Sequence, residues 1–135
     1  MINNLKNINL GIIGIGYVGL PLALEFAKKR KVIGFDINLN RVKDLKSGID
    51  KNFEFNKKEI KKAKNLSFTN NIADLKKINC FIITVPTPIN KHKEPDLKPL
   101  SNATKIIGNI LKNGNLIIYE STVYPGCIEE FCVPI

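Results

Sequence analysis

The chain is 135 residues long, 44% hydrophobic and 24% charged. That is enough for one ordinary globular domain, too little for two, and unlike a disordered segment. No window holds the ~20 apolar residues that a membrane-spanning helix needs, and the run MINNLKNINLGIIG carries no signal-peptide cleavage pattern, so a cytoplasmic protein is expected.

The formal charge of +9, from 21 basic and 12 acidic residues, raises the question of nucleic acid, and its distribution argues against it. The lysines are scattered, with one dense run at Lys57, Lys58, Lys61, Lys62 and Lys64, where Ile60 and Ala63 form the inward side of a short amphipathic helix. That run has no interleaved aromatics, and only two basic residues are arginine, the preferred reader of bases. A positive field of this kind also draws in small anions.

A first strand is expected over 8–13 and runs into Gly14-Ile15-Gly16-Tyr17-Val18-Gly19. Helical spacing follows over roughly 17–29, with Leu20, Leu22, Ala23, Leu24, Phe26 and Ala27 toward the sheet and Pro21 in the first turn, where its missing N–H costs little. A strand turning through glycines into a helix is a seat for a pyrophosphate. Gly14 permits the turn, Gly16 lets backbone approach phosphate oxygens, and Gly19 lets helix and strand pack closely. The unpaired N–H groups of the first helical turn and the positive end of its dipole face the dianion.

The second strand, 32–35, ends at Asp36, 20 positions after Gly16. A carboxylate there can accept both hydroxyls of an adenosine ribose and repels a 2′-phosphate, which favours NAD over NADP. Asp36 could instead cap the helix starting near Leu39, a task open to Asn38 as well. Arg41 bears on the same choice, since a nearby arginine can accommodate a 2′-phosphate.

From Ser47-Gly48 to Asn65 the pattern weakens to a connection with one short helix. A third strand is expected at 66–69 and a short helix at 71–76. The clearest buried strand is 79–85, apolar on both faces as a central parallel strand should be, stopping at Pro86-Thr87-Pro88 because prolines cannot donate ladder hydrogen bonds. Thr87 is thereby presented at the carboxyl edge of the sheet, where open parallel sheets bind ligands. A loop from Ile89 to Pro95 holds His92, read as solvated, and Asp96 is a candidate cap for a helix over 97–111. A fifth strand, 115–119, leads to Glu120-Ser121-Thr122, and Pro125-Gly126 opens another helix. Strands alternating with helices give an α/β fold, a Rossmann-like doubly wound parallel sheet.

Cys80, Cys127 and Cys132 make an odd count without metal-ligand spacing. Cys127 and Cys132, five apart, should diverge on a helix, and all three read as free, buried or half-buried thiols rather than nucleophiles.

Three separated signatures coincide: GIGYVGLPLA with Asp36, the VPTP run at 85–88 followed by Pro95-Asp96-Leu97, and ESTVYPG at 120–126. Together they resemble the N-terminal domain of the UDP-glucose/GDP-mannose dehydrogenase family, most closely members acting on UDP-N-acetylhexosamines. The resemblance implies a four-electron oxidation of the C6 hydroxymethyl of a UDP-sugar to a carboxylate with two NAD, in surface polysaccharide biosynthesis. It implies that Gly14, Gly16, Tyr17, Val18 and Gly19 hold the pyrophosphate, Asp36 the adenosine ribose, and Arg41 the adenine end. Val85, Pro86 and Thr87 would approach the cofactor beyond the fourth strand.

Thr122 would lie by the nicotinamide and substrate carbon, organising the water that hydrolyses a covalent intermediate; a hydroxyl can donate and accept there while staying neutral. The alternative for Thr122 is a strand-ending residue bonded to local backbone. The family's nucleophilic cysteine, its lysine and asparagine, the substrate domain and the dimerisation helix would belong to sequence beyond residue 135. The chain is therefore expected to be a fragment, inactive alone, of a homodimer or larger oligomer. Two other readings stay open: the cofactor domain of a 3-hydroxyacid or 6-phosphogluconate type dehydrogenase, and a non-catalytic module binding a dinucleotide or polynucleotide.

Overall fold

The computed structural model describes residues 7–89, 91 and 93–135. Five four-residue strands, β1 (Leu10–Ile13), β2 (Val32–Phe35), β3 (Leu66–Thr69), β4 (Cys80–Ile83) and β5 (Leu116–Tyr119), pair in the order β3-β2-β1-β4-β5, every pairing parallel. Parallel neighbours need crossovers, and these cover both faces. Helices α1 (Gly19–Ala27), α2 (Leu39–Lys46) and α3 (Lys57–Lys62) pack on one side, through Leu20, Ala23, Val42, Leu45 and Ile60. A 3-10 turn at Ile72–Lys77 and helix α4 (Lys98–Gly108) pack on the other, through Leu75, Leu100, Ala103 and Ile107.

The period of two along each strand divides the core accordingly. Leu10, Ile12, Cys80 and Ile82 belong to the first layer, and Ile13, Phe81 and Ile83 to the second. Phe81 is fully buried, a burial that contributes about 2–3 kcal/mol. The doubly wound sheet expected from the sequence is the fold observed, and the basic run forms α3 with Ile60 buried and Ala63 packed beside it.

Several boundaries move. Helix α1 begins at Gly19 rather than Tyr17, and Phe26, expected on the sheet, is 36% exposed. Strand β4 ends at Ile83, three residues before Pro86, so the prolines do not end it. It ends level with its neighbour β1: Gly14 turns out at φ +94 after the Thr84 amide makes a last bond to the Ile13 carbonyl at 2.8 Å. Helix α4 runs from Lys98, with Leu97 at the cap position, while Asp96 accepts the Lys98 amide at 3.0 Å. Asn38 caps α2, accepting the amides of Asn40 and Arg41. The reading of His92 falls outside the described residues.

The three thiols are free and buried, but Cys127 and Cys132 do not diverge. The segment after Gly126 is a π-helical turn, Ile128–Cys132, in which the Val133 amide reaches back to the Ile128 carbonyl at 2.9 Å. The wider turn brings residues five apart to one side. Burial raises the Cys132 thiol above its ordinary pKa and the adjacent Cys127 adds to the rise, while Thr104 and Tyr119 oppose it. Burial likewise raises Cys80, so both thiols are held protonated at neutral pH, the inert state.

Candidate functional site

The strands end flush. Register pairs Ile13 with both Phe35 and Ile83, and Ile83 with Tyr119. The next residue of each chain segment, Gly14, Asp36, Thr84 and Glu120, therefore stands on one ledge at the carboxyl edge of the sheet. Four backbone bonds secure it: Gly14 to Phe35 at 2.8 Å, Asp36 to Thr69 at 3.1 Å, Thr84 to Ile13 at 2.8 Å and Glu120 to Ile83 at 2.9 Å. The ledge floors a cleft of about 660 Å³. It lies where the strand order reverses between β1 and β4, the position at which open parallel sheets take ligands.

The three glycines of the turn have different reasons to be glycine. Gly14 has φ +94, and a Cβ there would press on Val85 and on Thr84 backbone at 3.0–3.2 Å. A Cβ on Gly19 would stand 1.9 Å from the Gly14 carbonyl oxygen and 2.7 Å from Thr84 Oγ1. Gly19 is thus the packing contact between helix and turn; it is buried and is absent from the cleft wall, against its expected place at the pyrophosphate. Gly16 differs from both. Its φ is ordinary and a Cβ there would meet no protein atom within 4 Å, so nothing in the chain's own packing demands glycine.

Side chains from three other elements then hold the turn. Thr84 Oγ1 donates to the Gly14 carbonyl at 2.6 Å. The Ile15 amide donates to Asp36 Oδ2 at 2.9 Å, and Arg41 Nε donates to the Ile15 carbonyl at 2.8 Å. Beyond Ile15 this bonding stops: among the described residues the amides of Gly16, Tyr17 and Val18 have no protein acceptor. Val18 stands at the amino terminus of α1 with no side-chain cap, and Tyr17 and Val18 are exposed. Unpaired amides at a helix amino terminus, beside a glycine open to the cleft, form a seat for an anion.

Asp36 sits on the same wall. Its Oδ1 accepts the Asn38 amide at 2.9 Å and its Oδ2 the Ile15 amide. Each carboxylate oxygen can accept two bonds, so both keep acceptor capacity for a diol. The turn and the carboxylate are thus hydrogen-bonded to one another, the arrangement that spacing alone only suggested.

Arg41 is on the cleft wall but is spoken for. Beside its bond to Ile15, its Nη1 pairs with Asp50 Oδ1 at 2.7 Å, and the two side chains are 11% and 0% exposed. Asp50 also accepts the amides of Asn52, Glu54 and Phe55. Burial pushes its carboxyl upward, but the hydrogen bonds and charge of Arg41 with the backbone amides outweigh this and hold it below 3.8. No sequence signal marked Asp50, because its partner lies on another element.

The loops after β4 and β5 close the opposite wall with Val85, Pro86, Thr87, Ser121 and Thr122. Thr87 Oγ1 donates to the Thr122 carbonyl at 2.6 Å, and Ser121 Oγ donates to the Val85 carbonyl at 2.7 Å. The VPTP and ESTVYPG runs, 35 residues apart, are therefore laced together. Thr122 itself is exposed on the wall. Sequence reasoning missed Thr84, whose only mark was its place before Val85, and it missed Asn102 and Ile106, which α4 turns toward the cleft. Among the described residues no group of three or more His, Cys, Asp or Glu could hold a metal ion, and no helix is long and apolar enough to cross a membrane.

A parallel sheet of order 3-2-1-4-5, a glycine turn with unpaired amides and an acid at the end of the second strand define a dinucleotide-binding domain of the Rossmann class. Residues 8–135 match the NAD binding domain of the UDP-glucose/GDP-mannose dehydrogenase family, and the chain belongs to that family. Its cofactor is NAD. The chain is 56% identical over 131 residues to the UDP-N-acetyl-D-glucosamine 6-dehydrogenase of Pseudomonas aeruginosa, covering 97% of this chain and 31% of that protein. It is 53% identical to the enzyme of that name from Salmonella typhi, again over 97% and 31%. Among solved structures, the UDP-D-ManNAc dehydrogenase of Pyrococcus horikoshii superposes with a TM-score of 0.84 at 35% identity, over 90% of this chain and 30% of that one. The chain thus spans about a third of the length of these relatives.

Proposed function

We propose that this chain is the cofactor-binding part of a nucleotide-sugar 6-dehydrogenase that oxidises the C6 hydroxymethyl of a UDP-N-acetylhexosamine to a carboxylate. The sugar class rests on the two relatives that share more than half of their aligned residues with it. One observation carries the cofactor reading: Gly16 is a glycine that the fold does not require, set among three unpaired amides and hydrogen-bonded through Ile15 to Asp36. The residues present fit a dinucleotide. Gly16, Tyr17 and Val18 would take the pyrophosphate oxygens, Asp36 the adenosine ribose, and the Val85–Thr87 wall the nicotinamide half. NAD, when bound, supplies a hydride acceptor. What the chain itself contributes is position: Thr84 and Arg41 hold the turn, and the Thr87–Thr122 and Ser121–Val85 bonds set the distance between the two strand-end loops.

Thr122, on that laced loop, is proposed to hold the water that completes the second oxidation, through a hydroxyl that donates and accepts without charge. The nucleophile, the substrate domain and the dimer contacts would lie in the remaining two thirds of a protein of its relatives' length, working in the cytoplasm on surface polysaccharide precursors. The test is a titration of the purified chain with NADH, followed by nicotinamide fluorescence, beside Gly16→Ala. The wild-type chain should bind saturably. The variant should unfold within about 0.5 kcal/mol of it, as a substitution that touches nothing does, yet bind NADH at least about tenfold more weakly, because the methyl occupies the phosphate approach. A variant that binds as well as wild type removes the observation on which the reading rests.

A further inference from the structure

The tie between Arg41 and Asp50 bears on a choice that the glycine turn and Asp36 leave incomplete. Arg41 is the only basic residue among the described residues of the cleft wall. It is therefore the group on that wall with the charge to attract a 2′-phosphate, and it stands on the same side as Asp36, to which it is linked through Ile15. Left free, a guanidinium there would offset the repulsion that Asp36 exerts on such a phosphate.

It is not free. Nε is engaged by the Ile15 carbonyl and Nη1 by Asp50, and Nη2 is buried with no protein acceptor. The side chain thus stays down although one of its nitrogens goes unpaired. Asp50 cannot follow it outward, since three further donors, the amides of Asn52, Glu54 and Phe55, grip the same carboxylate. The pair also cancels its own charge, so the wall beside the ribose is left with the net field of Asp36.

We propose that Asp50 determines cofactor specificity: by holding the Arg41 guanidinium down against the glycine turn, it denies a 2′-phosphate its cationic partner and so makes the site select NAD over NADP. Asp50 is in this role a positioning residue, acting through Arg41 without touching the cofactor. The inference rests on the cofactor reading proposed above and goes beyond it, for it assigns the discrimination to a residue from a separate loop.

The experiment is a two-ligand, four-protein comparison. The chain, Asp50→Ala, Arg41→Ala and the double variant are each titrated with NADH and NADPH by nicotinamide fluorescence, with circular dichroism confirming the fold. The wild-type chain should prefer NADH. Asp50→Ala should narrow that preference by about tenfold, the worth of one charge-assisted contact regained by a released guanidinium. Arg41→Ala should weaken both ligands by a similar factor and leave the ratio alone, and the double variant should return the ratio to the wild-type value.

A ratio unmoved in Asp50→Ala overturns the proposal and leaves Asp50 a loop anchor only. A selective loss of NADPH in Arg41→Ala overturns it as well, since Arg41 would then already serve the phosphate. Should Asp50→Ala fail to fold, Asp50→Asn keeps the shape and one acceptor while removing the charge, and is held to the same outcomes. Saturable NADH binding with an unmoved ratio sinks this inference alone. No binding of either ligand by the folded wild-type chain sinks the cofactor reading and this inference with it.

Discussion

The two walls of the cleft are built from the same material and held by different means. On the β1–β2 side, strands with buried residues on both faces end in a turn whose carbonyls and amide are tied by Thr84, Asp36 and Arg41, with Asp50 behind them. On the β4–β5 side, the edge strand β5 is only half buried, Leu116 is 44% exposed, and two hydroxyls on loops, Thr87 and Ser121, make the bonds between the strand ends. The first wall is tied by side chains from three elements, and it leaves the amides of Gly16, Tyr17 and Val18 without a protein acceptor. The second is a surface that lacks the covering a central strand has. On the proposed reading, the difference separates the wall that would take the phosphates and ribose from the wall that would face the nicotinamide.

The comparison can be broken hardest at Gly19. A methyl there, 1.9 Å from a backbone oxygen, cannot be absorbed by a side chain swinging aside. Gly19→Ala should cost about 3 kcal/mol or more, at the severe end of overpacking, read as a fall in the urea midpoint, with NADH binding lost. Its contrast with Gly16→Ala, two glycines of one motif with opposite effects on stability, is the sharpest form of the argument. An unchanged midpoint in Gly19→Ala would show that the turn is looser than its contacts imply.

A milder break is the removal of the lacing. Ser121→Ala and Thr87→Val each delete one hydroxyl-to-carbonyl bond at a partly exposed site, worth about 1 kcal/mol. Each should shift the urea midpoint slightly and weaken NADH no more than a few-fold, because the phosphate and ribose contacts proposed above lie on the other wall. A loss as large as that of Gly16→Ala would overturn the division between the walls.

The smallest effect is reached with acid, which acts on carboxylates and spares hydroxyls. Asp50 has a folded pKa below its ordinary 3.8. Its contribution is therefore complete above that ordinary value, and it is lost as the pH falls through the lower, folded value. Urea midpoints measured from about pH 5 to well below 3.8 should fall less steeply on the acid side in Asp50→Ala than in the wild-type chain. Parallel acid limbs would mean that the Arg41 pair contributes no pH-dependent stability.

Much of this was legible in advance. Four-residue apolar runs between helical patterns predicted the sheet, and the glycine turn with Asp36 predicted the cleft, because a period of two and a glycine at a sharp turn are local requirements written in adjacent residues. Helix ends were less legible: α1 starts at Gly19, two residues later than the apolar spacing suggests, with Val18 at its cap position. Strand β4 was expected to end at its prolines, yet it ends where its neighbour does, a property of pairing rather than of its own sequence. The two thiols at 127 and 132 were expected to part because a 3.6-residue turn was assumed, and the π-helical turn reverses that.

The sequence by itself determined where the backbone could turn sharply at the end of the first strand, since glycine's missing side chain acts wherever it stands. Only the tertiary structure shows what each charged side chain touches. Arg41, read as a partner for the cofactor, lies on the cleft wall and is also bound to Asp50, nine residues on. An ion pair is set by distance in space, and a carboxylate brought within 2.7 Å by the path of a loop leaves no trace in the spacing of the residues that carry it.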